Sequence, residues 1–298
     1  MRRTGNLIEG IADPENIRLA YLRAARGKRH KAPVQAFGAV LDDALEDIRV
    51  GLLSGNYRWG IYHRFMVYDP KERLICAAPF RDRVAQHAIM ALCEPCFESY
   101  QVYDSYACRR GKGLDAALVR AQNHARHSRC FVKLDVRKYF DSIDHAILKQ
   151  LLERRFKDTT LMTLFEALID GYSSTPGKGI PIGNLSSQYF ANHYLAPWDH
   201  YCMETLGIHR YVRYMDDFAA WGNDKEQLKD WAASARHFLQ ERLGLALKTN
   251  LSEHLRQGHD LSGVSYLPGG NVAFPAQPRA LLSKTEVISR LIRTRDLG

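Results

Sequence analysis

Two adjacent acids, Asp216 and Asp217, lie between two short apolar segments of the chain. Residues 211–216 alternate in side-chain type with the two-residue period of a β-strand, and residues 218–221 predict the returning strand. The acids are therefore expected at the tip of a tight β-hairpin. Because their charges repel, such a pair is stable at low cost where a cation or water neutralises it. A solvated turn is the common alternative for two adjacent aspartates.

A second acidic motif lies upstream and centres on Asp135. Residues 131–134 are strand formers that predict a strand ending near Asp135, and a helical pattern begins around Asp144. Two-metal phosphoryl transfer requires carboxylates that hold two ions about 3.5–4 Å apart. Asp135, Asp216 and Asp217 have the chemistry for that role. The alternative is that these acids end strands and turns, and for Asp144 we expect a helix N-cap.

Five blocks of sequence, taken in order, resemble the reverse transcriptases. They are residues 73–86, 105–113, the Asp135 motif, 179–188 and 214–217. The resemblance extends from about residue 62 to about residue 266. It implies an RNA-directed DNA polymerase with an α+β, right-hand fold. That fold has fingers, a ferredoxin-like palm whose antiparallel sheet is backed by helices, and a short helical thumb.

The resemblance assigns roles to single residues. It makes Asp135, Asp216 and Asp217 the metal-binding triad and places Val136 with them as a metal- and nucleotide-binding residue. The implied cofactor is a pair of Mg²⁺ ions, for which Mn²⁺ can substitute. Phe140 matches the aromatic gate against ribonucleotides, because a flat ring under the sugar leaves no room for a 2′-hydroxyl. An ordinary core aromatic is the alternative for Phe140.

Other basic residues match positions that contact the nucleotide. Arg73, with Lys71 as the alternative, is expected to bind the triphosphate, because a guanidinium donates bidentate hydrogen bonds to phosphate. Lys248 matches a lysine near the leaving pyrophosphate that can act as a general acid, and an exposed surface lysine is the alternative. For Arg81 and Arg83 we expect internal salt bridges, or contacts with the RNA backbone, rather than catalysis.

The block around Ile182 indicates which group of reverse transcriptases the chain resembles. Most reverse transcriptases have Gln-Gly where this chain has Ile182 and Gly183, and Ser-Pro where it has Ser187 and Gln188. This combination resembles the reverse transcriptases of diversity-generating retroelements, which copy a template-repeat RNA with frequent errors at adenine for mutagenic retrohoming. Gly183 lets backbone approach the nucleotide. Ile182 replaces a hydrogen-bonding side chain with a stiff apolar one, which predicts relaxed fidelity, unless Ile182 is simply core.

Three other functions share some of these features. A group II intron-like or retron-type reverse transcriptase of ordinary fidelity has the same triad, but the usual Gln-Gly and Ser-Pro pairs are absent. An RNA-dependent RNA polymerase is disfavoured by Phe140. A non-catalytic RNA-binding scaffold derived from a polymerase is expected to lose the acids, and all three are retained.

The charge balance agrees with a nucleic-acid partner. Lys and Arg number 42 against 33 Asp and Glu, which gives a net charge of +9. Basic runs of this kind release counterions when they bind phosphates, although a solvated face is the common alternative. The RNA-binding candidates are Arg23, Arg26, Lys28 and Arg29 in one run, and Arg109, Arg110 and Lys112 in another.

The predicted organisation has four parts. Residues 1–30 form an N-terminal helical arm, 31–130 the fingers with the start of the palm, 131–270 the palm with part of the fingers, and 271–298 a short thumb. Residues 261–266 resemble the primer grip. Asp224 is expected to cap a helix that ends at Gly244. Cys93 and Cys96 have zinc-like spacing, but no second pair follows, so we do not expect a zinc site.

The expected partners follow from the resemblance. They are template RNA, cDNA or primer, deoxynucleoside triphosphates and an oligomeric accessory variability determinant protein. The sequence has no apolar run long enough to span a membrane and no secretory signal at its start. Six cysteines in a chain of 298 residues indicate a reducing cytoplasm rather than a disulfide scaffold. The resemblance implies a protein encoded by a bacterium, an archaeon or a phage.

Overall fold

The computed structural model describes residues 3–68, 72–248, 265–266 and 272–273. Its helices are α1 (Ile8–Ile11), α2 (Pro14–Ala25), α3 (Ala32–Ala39), α4 (Leu41–Ser54), α5 (Phe80–Glu98), α6 (Leu114–Arg126), α7 (Tyr139–Ser142), α8 (His145–Glu153), α9 (Thr159–Asp170), α10 (Leu185–His200) and α11 (Lys225–Leu243), with a π-helical turn at Tyr201–Thr205. Its strands are β1 (His63–Tyr68), β2 (Glu72–Ala77), β3 (Cys130–Asp135), β4 (Tyr211–Tyr214), β5 (Asp217–Gly222), β6 (Ser265–Tyr266) and β7 (Val272–Ala273). Lys71, most of the predicted primer grip and the predicted thumb helix lie outside the described residues.

The central sheet is antiparallel, with strand order β3-β5-β4. β4 and β5 form the predicted hairpin, and β3 is the predicted strand that ends at Asp135. The hairpin is tighter than expected, because β4 ends at Tyr214, which pairs with Asp217. Met215 and Asp216 therefore form a two-residue turn, and Asp217 begins the returning strand.

Alternation along the strands gives the sheet two packed faces. On one face, Phe218 contacts the rings of Trp198 and Trp231, at centroid distances of 5.9 and 6.1 Å. Trp231 belongs to α11, which packs on β3 and β5. On the other face, Val212 and Trp221 pack with α6 in one buried cluster. An antiparallel sheet backed by helices is the arrangement predicted for the palm.

Helix α11 has a residue at each end that favours the start or the end of a helix. The side chain of Asp224 accepts hydrogen bonds from the backbone N–H groups of Glu226 and Gln227, which satisfies the helix N-terminus. Gly244 ends the helix in the left-handed conformation, with φ of +61°. Both ends were predicted. Its buried stripe is Leu228, Trp231, Ala232, Ala235, Leu239 and Leu243.

The contacts divide the chain into two compact units. Unit 1 comprises Met1–Met66, Leu74–Gln101 and Phe140–Tyr194, and unit 2 comprises Val67–Arg73, Val102–Tyr139 and Leu195–Gly298. Unit 1 has an aromatic core in which the ring of Phe97 lies 5.2 Å from Phe156 and 6.4 Å from Phe165. Unit 2 contains the β3-β5-β4 sheet. The predicted boundaries of fingers, palm and thumb stay a prediction, because contact clusters do not define those subdomains.

The described part of the chain bears on the expectations about membrane spans, disulfides and metal-ligating side chains. No helix there has the length and apolar character of a membrane span. All six cysteines are free thiols. Among the described residues, no three His, Cys, Asp or Glu side chains form a group that could hold a metal ion.

Candidate active site

Two of the three predicted catalytic acids lie opposite each other on neighbouring strands of unit 2. Asp135, the last residue of β3, pairs with Asp217, the first residue of β5. Residues directly opposite in an antiparallel pair point to the same face, with Cβ atoms about 4.5–5.5 Å apart. The side chain of Asp135 is largely shielded from water, and Asp217 is only 6% exposed. Two shielded carboxylates this close need positive charge nearby.

Two lysines supply part of that charge. Nζ of Lys248 lies 2.5 Å from Oδ2 of Asp135, and Nζ of Lys133 lies 3.5 Å from Oδ1 of Asp217. Lys248 was predicted to lie near the leaving pyrophosphate, which stays a prediction, and in the structure it contacts Asp135, one of the predicted catalytic acids. Lys133 was missed, although a signal existed. It lies two residues before Asp135 on the same strand, so the two side chains share a face of the sheet.

Asp216 lies in the turn beside the start of the next segment. Its carbonyl oxygen accepts a hydrogen bond from the N–H of Val136, at 3.3 Å. The preceding residue, Met215, has a φ of +54°. A non-glycine residue in this left-handed region stores about 1–3 kcal/mol of strain and is found where the surrounding structure enforces it. The turn that carries the acids is therefore a strained one that needs support.

A buried ion pair gives that support. The guanidinium of Arg213 donates to Asp199 at 2.6–2.9 Å and, through Nη1, to the carbonyl oxygen of Met215 at 3.1 Å. The hydroxyl of Tyr211 donates to Asp199 at 2.8 Å. Both charged side chains are 0% exposed. Burial alone would lower the pKa of Arg213, but the carboxylate of Asp199 outweighs burial and raises that pKa above its usual value. The pair therefore stays charged and holds the turn.

The donor atoms at the acid pair suit a divalent cation. Oδ1 of Asp135 is buried and has no hydrogen-bond partner among the described residues. Carboxylate oxygens are the ligands that Mg²⁺ prefers. Asp216 does not complete a three-carboxylate group with the other two acids in the described structure. The donor chemistry thus fits a metal at Asp135 and Asp217, and Val136 and Asp216 are the neighbours of these two acids in the chain.

A second set of candidate residues lies in unit 1. The carbonyl oxygen of Phe140 accepts a hydrogen bond from the N–H of Ile180, at 2.9 Å, which aligns the two segments. The carbonyl oxygen of Ile182 accepts from the N–H of Cys76 on β2, at 2.8 Å. The side chains of Phe140 and Ile182 are half-buried, whereas Ile180 is 1% exposed. Neither candidate is therefore a fully buried core residue.

Two features of the backbone favour glycine at position 183. Its φ is +113°, which side chains with a Cβ rarely adopt. A Cβ at this position would also lie 3.0 Å from Cγ2 of Ile75. Arg73 is half-buried on the same strand, β2, as Ile75. The structure thus brings Ile182 and Gly183 against one strand of the predicted fingers.

The predicted RNA-binding residues have different surroundings. Nη1 of Arg109 donates to the carbonyl oxygens of Val102 and Ser105, at 2.7 and 2.6 Å. Nζ of Lys112 donates to the carbonyl oxygen of Tyr103 and lies 3.3 Å from the centre of its ring. These two cations hold their own loop together. Arg26, Arg29 and Arg110 are exposed.

The run around Arg81 also has a clear structural role. Nη2 of Arg81 lies 2.6 Å from Oδ2 of Asp47, and its guanidinium lies over the ring of Tyr57. Asp82 is buried and accepts hydrogen bonds from the hydroxyl of Tyr57 and the N–H of Gly60. The internal salt bridge expected for this run is therefore formed by Arg81.

Comparison with known proteins gives one family and several relatives. The chain matches the family described as reverse transcriptase (RNA-dependent DNA polymerase) over residues 69–266. It is 29% identical to Protein YkfC of Escherichia coli (strain K12) over 175 residues, which are 54% of this chain and 45% of YkfC. It is 27% identical to the group II intron-encoded protein LtrA of Lactococcus lactis subsp. cremoris over 140 residues, which are 45% of this chain and 23% of LtrA.

Among solved structures, the chain resembles telomerase from Candida albicans in complex with a fragment of telomeric RNA. The TM-score is 0.52 at 10% identity, over 70% of this chain and 46% of that one. At this identity the likeness concerns the fold alone, and it confirms the predicted α+β fold of a right-hand polymerase. The chain spans less than half the length of each of these three relatives.

Proposed function

Because the chain belongs to the reverse transcriptase (RNA-dependent DNA polymerase) family, we propose that it extends a primer with deoxynucleotides on an RNA template. One observation carries this proposal. Asp135 and Asp217 face each other across β3 and β5, shielded from water and each in contact with a lysine. Shielded carboxylates of this kind are costly unless they bind a cation or do chemistry.

The proposed metal ligands are Asp135, Asp216, Asp217 and the backbone of Val136. Two Mg²⁺ ions bound there, or Mn²⁺ in their place, would activate the attacking hydroxyl and stabilise the leaving pyrophosphate. The protein supplies the remaining parts. The Arg213–Asp199 pair holds the turn that carries Asp216, and Lys248 is the proposed proton donor to the leaving group.

Four further residues are proposed to contact the nucleotide. Arg73 and Lys71 are proposed to bind the triphosphate, and Gly183 to let the backbone approach the nucleotide. Phe140 is the proposed sugar gate. Its half-buried ring and hydrogen-bonded backbone support this role, because a gate must be both accessible and fixed in position.

The preference of the enzyme for deoxynucleotides over ribonucleotides tests the proposed reaction. We expect the full chain to extend a DNA primer on an RNA template with deoxynucleotides in strong preference to ribonucleotides. Phe140→Ala should reduce this preference by about tenfold or more, equivalent to about 1.4 kcal/mol. Phe140→Tyr, which keeps the ring, is the matched control. Equal use of ribonucleotides by the unaltered protein would instead support an RNA polymerase.

The proposal has a finer form, in which the enzyme copies a template-repeat RNA with errors at adenine, as in diversity-generating retroelements. Ile182 supports it, because the half-buried apolar side chain offers the nascent base pair no hydrogen bond. The similarity to LtrA favours the alternative, a group II intron-type reverse transcriptase of ordinary fidelity. The rate of errors opposite adenine distinguishes the two.

The proposed partners are template RNA, the primer or cDNA, and deoxynucleoside triphosphates. The net charge of +9 and the exposed side chains of Arg26, Arg29 and Arg110 support RNA binding. An oligomeric accessory variability determinant protein belongs to the finer form of the proposal alone. It would hold the template near the enzyme and raise the length of cDNA made per binding event.

A further inference from the structure

Four basic side chains of unit 1 form a group that the proposed reaction does not use. Arg23 lies on α2, Lys28 follows that helix, and Arg83 and His87 lie one turn apart on α5. We call these four residues the cationic cluster. Gly27, with a φ of +71°, makes the turn between α2 and Lys28, and the N–H of Lys28 donates back to the carbonyl oxygen of Ala25.

The packing of α2 along α5 brings the cluster together. Nδ2 of Asn16, near the start of α2, donates to the carbonyl oxygen of Ala88 at 3.1 Å. Farther along α2, the ring of Tyr21 meets the ring of Phe80, at the start of α5, with a centroid distance of 6.1 Å. The two helices therefore run antiparallel. Arg23, two residues after Tyr21, lies beside the first turns of α5.

The cluster contrasts with three neighbouring arginines of the same unit, which pair with carboxylates. Neighbouring arginines pair with acids of α4, and these pairs are Arg18–Asp42 (2.6 Å), Arg49–Glu46 (2.7 Å) and Arg81–Asp47 (2.6 Å). Within the described part of the chain, Arg23, Lys28, Arg83 and His87 form no salt bridge or side-chain hydrogen bond. Arg83 thus differs from Arg81, its near neighbour, for which an internal salt bridge was also predicted.

This arrangement is unfavourable for the free protein. Burial lowers the pKa of Lys28, and the nearby charges of Arg83 and Lys31 lower it further. Burial lowers the pKa of Arg83 as well. For His87, burial and then the charges of Arg83, Arg23 and Lys28 lower the pKa to about 4, so its ring is neutral at pH 7. Lys28 and Arg83 are half-buried like charges without an acid, and the exposed Arg23 adds a third positive charge beside them. Such a group indicates a bound anion in the working state.

We propose that the cationic cluster binds phosphates of the RNA backbone. Two guanidiniums offer bidentate hydrogen bonds, the lysine adds a point charge, and the neutral imidazole adds a further donor. The exposed Arg26 and Arg29 extend the same basic surface along the chain. This proposal rests on the proposed function, because it assigns a place on the protein to the template that the reaction requires.

The test uses the full chain and one substitution that keeps side-chain bulk. Arg83→Met removes the charge, Arg83→Lys keeps it, and Arg18→Met on α2 removes a paired arginine as the control. Affinity for a single-stranded RNA oligonucleotide is measured by fluorescence anisotropy over a series of salt concentrations. We expect Arg83→Met to reduce the slope of log affinity against log salt by about one, with little change for the other two variants.

The thermal stability of the variants without RNA is the second measurement. Because Arg83→Met removes a repelling charge, we expect its Tm without RNA to stay the same or rise, whereas a structural arginine would give a lower Tm. Lys28→Met gives the same pair of readings if Arg83→Met does not fold. A lower Tm with an unchanged salt slope would overturn the proposal. So would polyglutamate competing better than RNA, because the partner would then be an acidic protein.

The test of the phosphate site can fail or succeed independently of the test of polymerase activity. Primer extension is measured on the same variants. A protein that binds RNA through Arg83 but never extends a primer would refute the polymerase proposal and retain the phosphate site. If the protein extends primers normally and the salt slope is unchanged in Arg83→Met and Lys28→Met, the phosphate site is refuted and the polymerase proposal is retained.

Discussion

Ile182 is the residue to which the finer form of the proposal assigns relaxed fidelity. Its backbone is fixed by the hydrogen bond to Cys76, and Gly183 after it packs against Ile75. The backbone at this position is therefore held in place, and the contacts that the side chain can make depend on its shape and chemistry. A β-branched aliphatic side chain can press against a base or sugar but cannot distinguish hydrogen-bonding groups.

We predict that Ile182→Gln lowers misincorporation opposite adenine by up to about tenfold, since one neutral hydrogen bond contributes about 0.5–1.5 kcal/mol. Sequencing of cDNA copied from a defined RNA gives the error rate at each base. Ile182→Leu, which stays apolar, should leave the rate unchanged. An active Ile182→Gln enzyme with the original error rate would show that fidelity is set elsewhere and would favour the ordinary group II intron type.

The β4–β5 hairpin depends on helix α10, which ends shortly before β4 in the chain. Asp199 lies on α10, and it holds the guanidinium that reaches the carbonyl oxygen of Met215. Removing one partner of a buried ion pair costs about 3–5 kcal/mol, whereas replacing both with apolar residues is often neutral. We therefore expect that replacing both partners removes the hairpin support without unfolding the sheet.

We predict that Arg213→Met with Asp199→Leu, made in a Tyr211→Phe background, folds but binds metal weakly. Tyr211→Phe alone is the control, because it removes only the hydroxyl that would lose its partner. Direct Mn²⁺ binding by electron paramagnetic resonance should weaken several-fold relative to that control, and the Mg²⁺ concentration for half-maximal extension should rise. Equal Mn²⁺ affinity in the two folded proteins would mean that the ion pair only stabilises the fold.

At the scale of the whole molecule, local patterns predicted the elements well. The alternation before Asp135 and around Tyr211 predicted β3 and β4, and the cap at Asp224 predicted where α11 begins. Such signals lie within a few residues of the feature they predict. The existence of an α+β fold followed from them and from the order of the motifs.

Contacts between distant segments could not be predicted in the same way. The register that sets Asp135 against Asp217 depends on how two strands pair, and the Arg213–Asp199 pair joins a strand to a helix. Neither leaves a local pattern. The cationic cluster also joins two helices, so Arg83 looked like Arg81 in the sequence but has different neighbours in the fold.

We propose that the acid pair of β3 and β5 is the catalytic centre of an RNA-directed DNA polymerase. Mg²⁺-dependent extension of a DNA primer on an RNA template, compared between the unaltered chain and Asp217→Asn, tests it most directly. Asp141→Asn, at an exposed acid, is the control.

We predict that Asp217→Asn lowers the extension rate by about a thousandfold or more, equivalent to about 4 kcal/mol, while RNA binding and Tm stay close to those of the unaltered chain. Asp141→Asn should retain its activity. Extension by Asp217→Asn at the rate of the unaltered chain, or no RNA-templated extension by the unaltered chain itself, would contradict the claim.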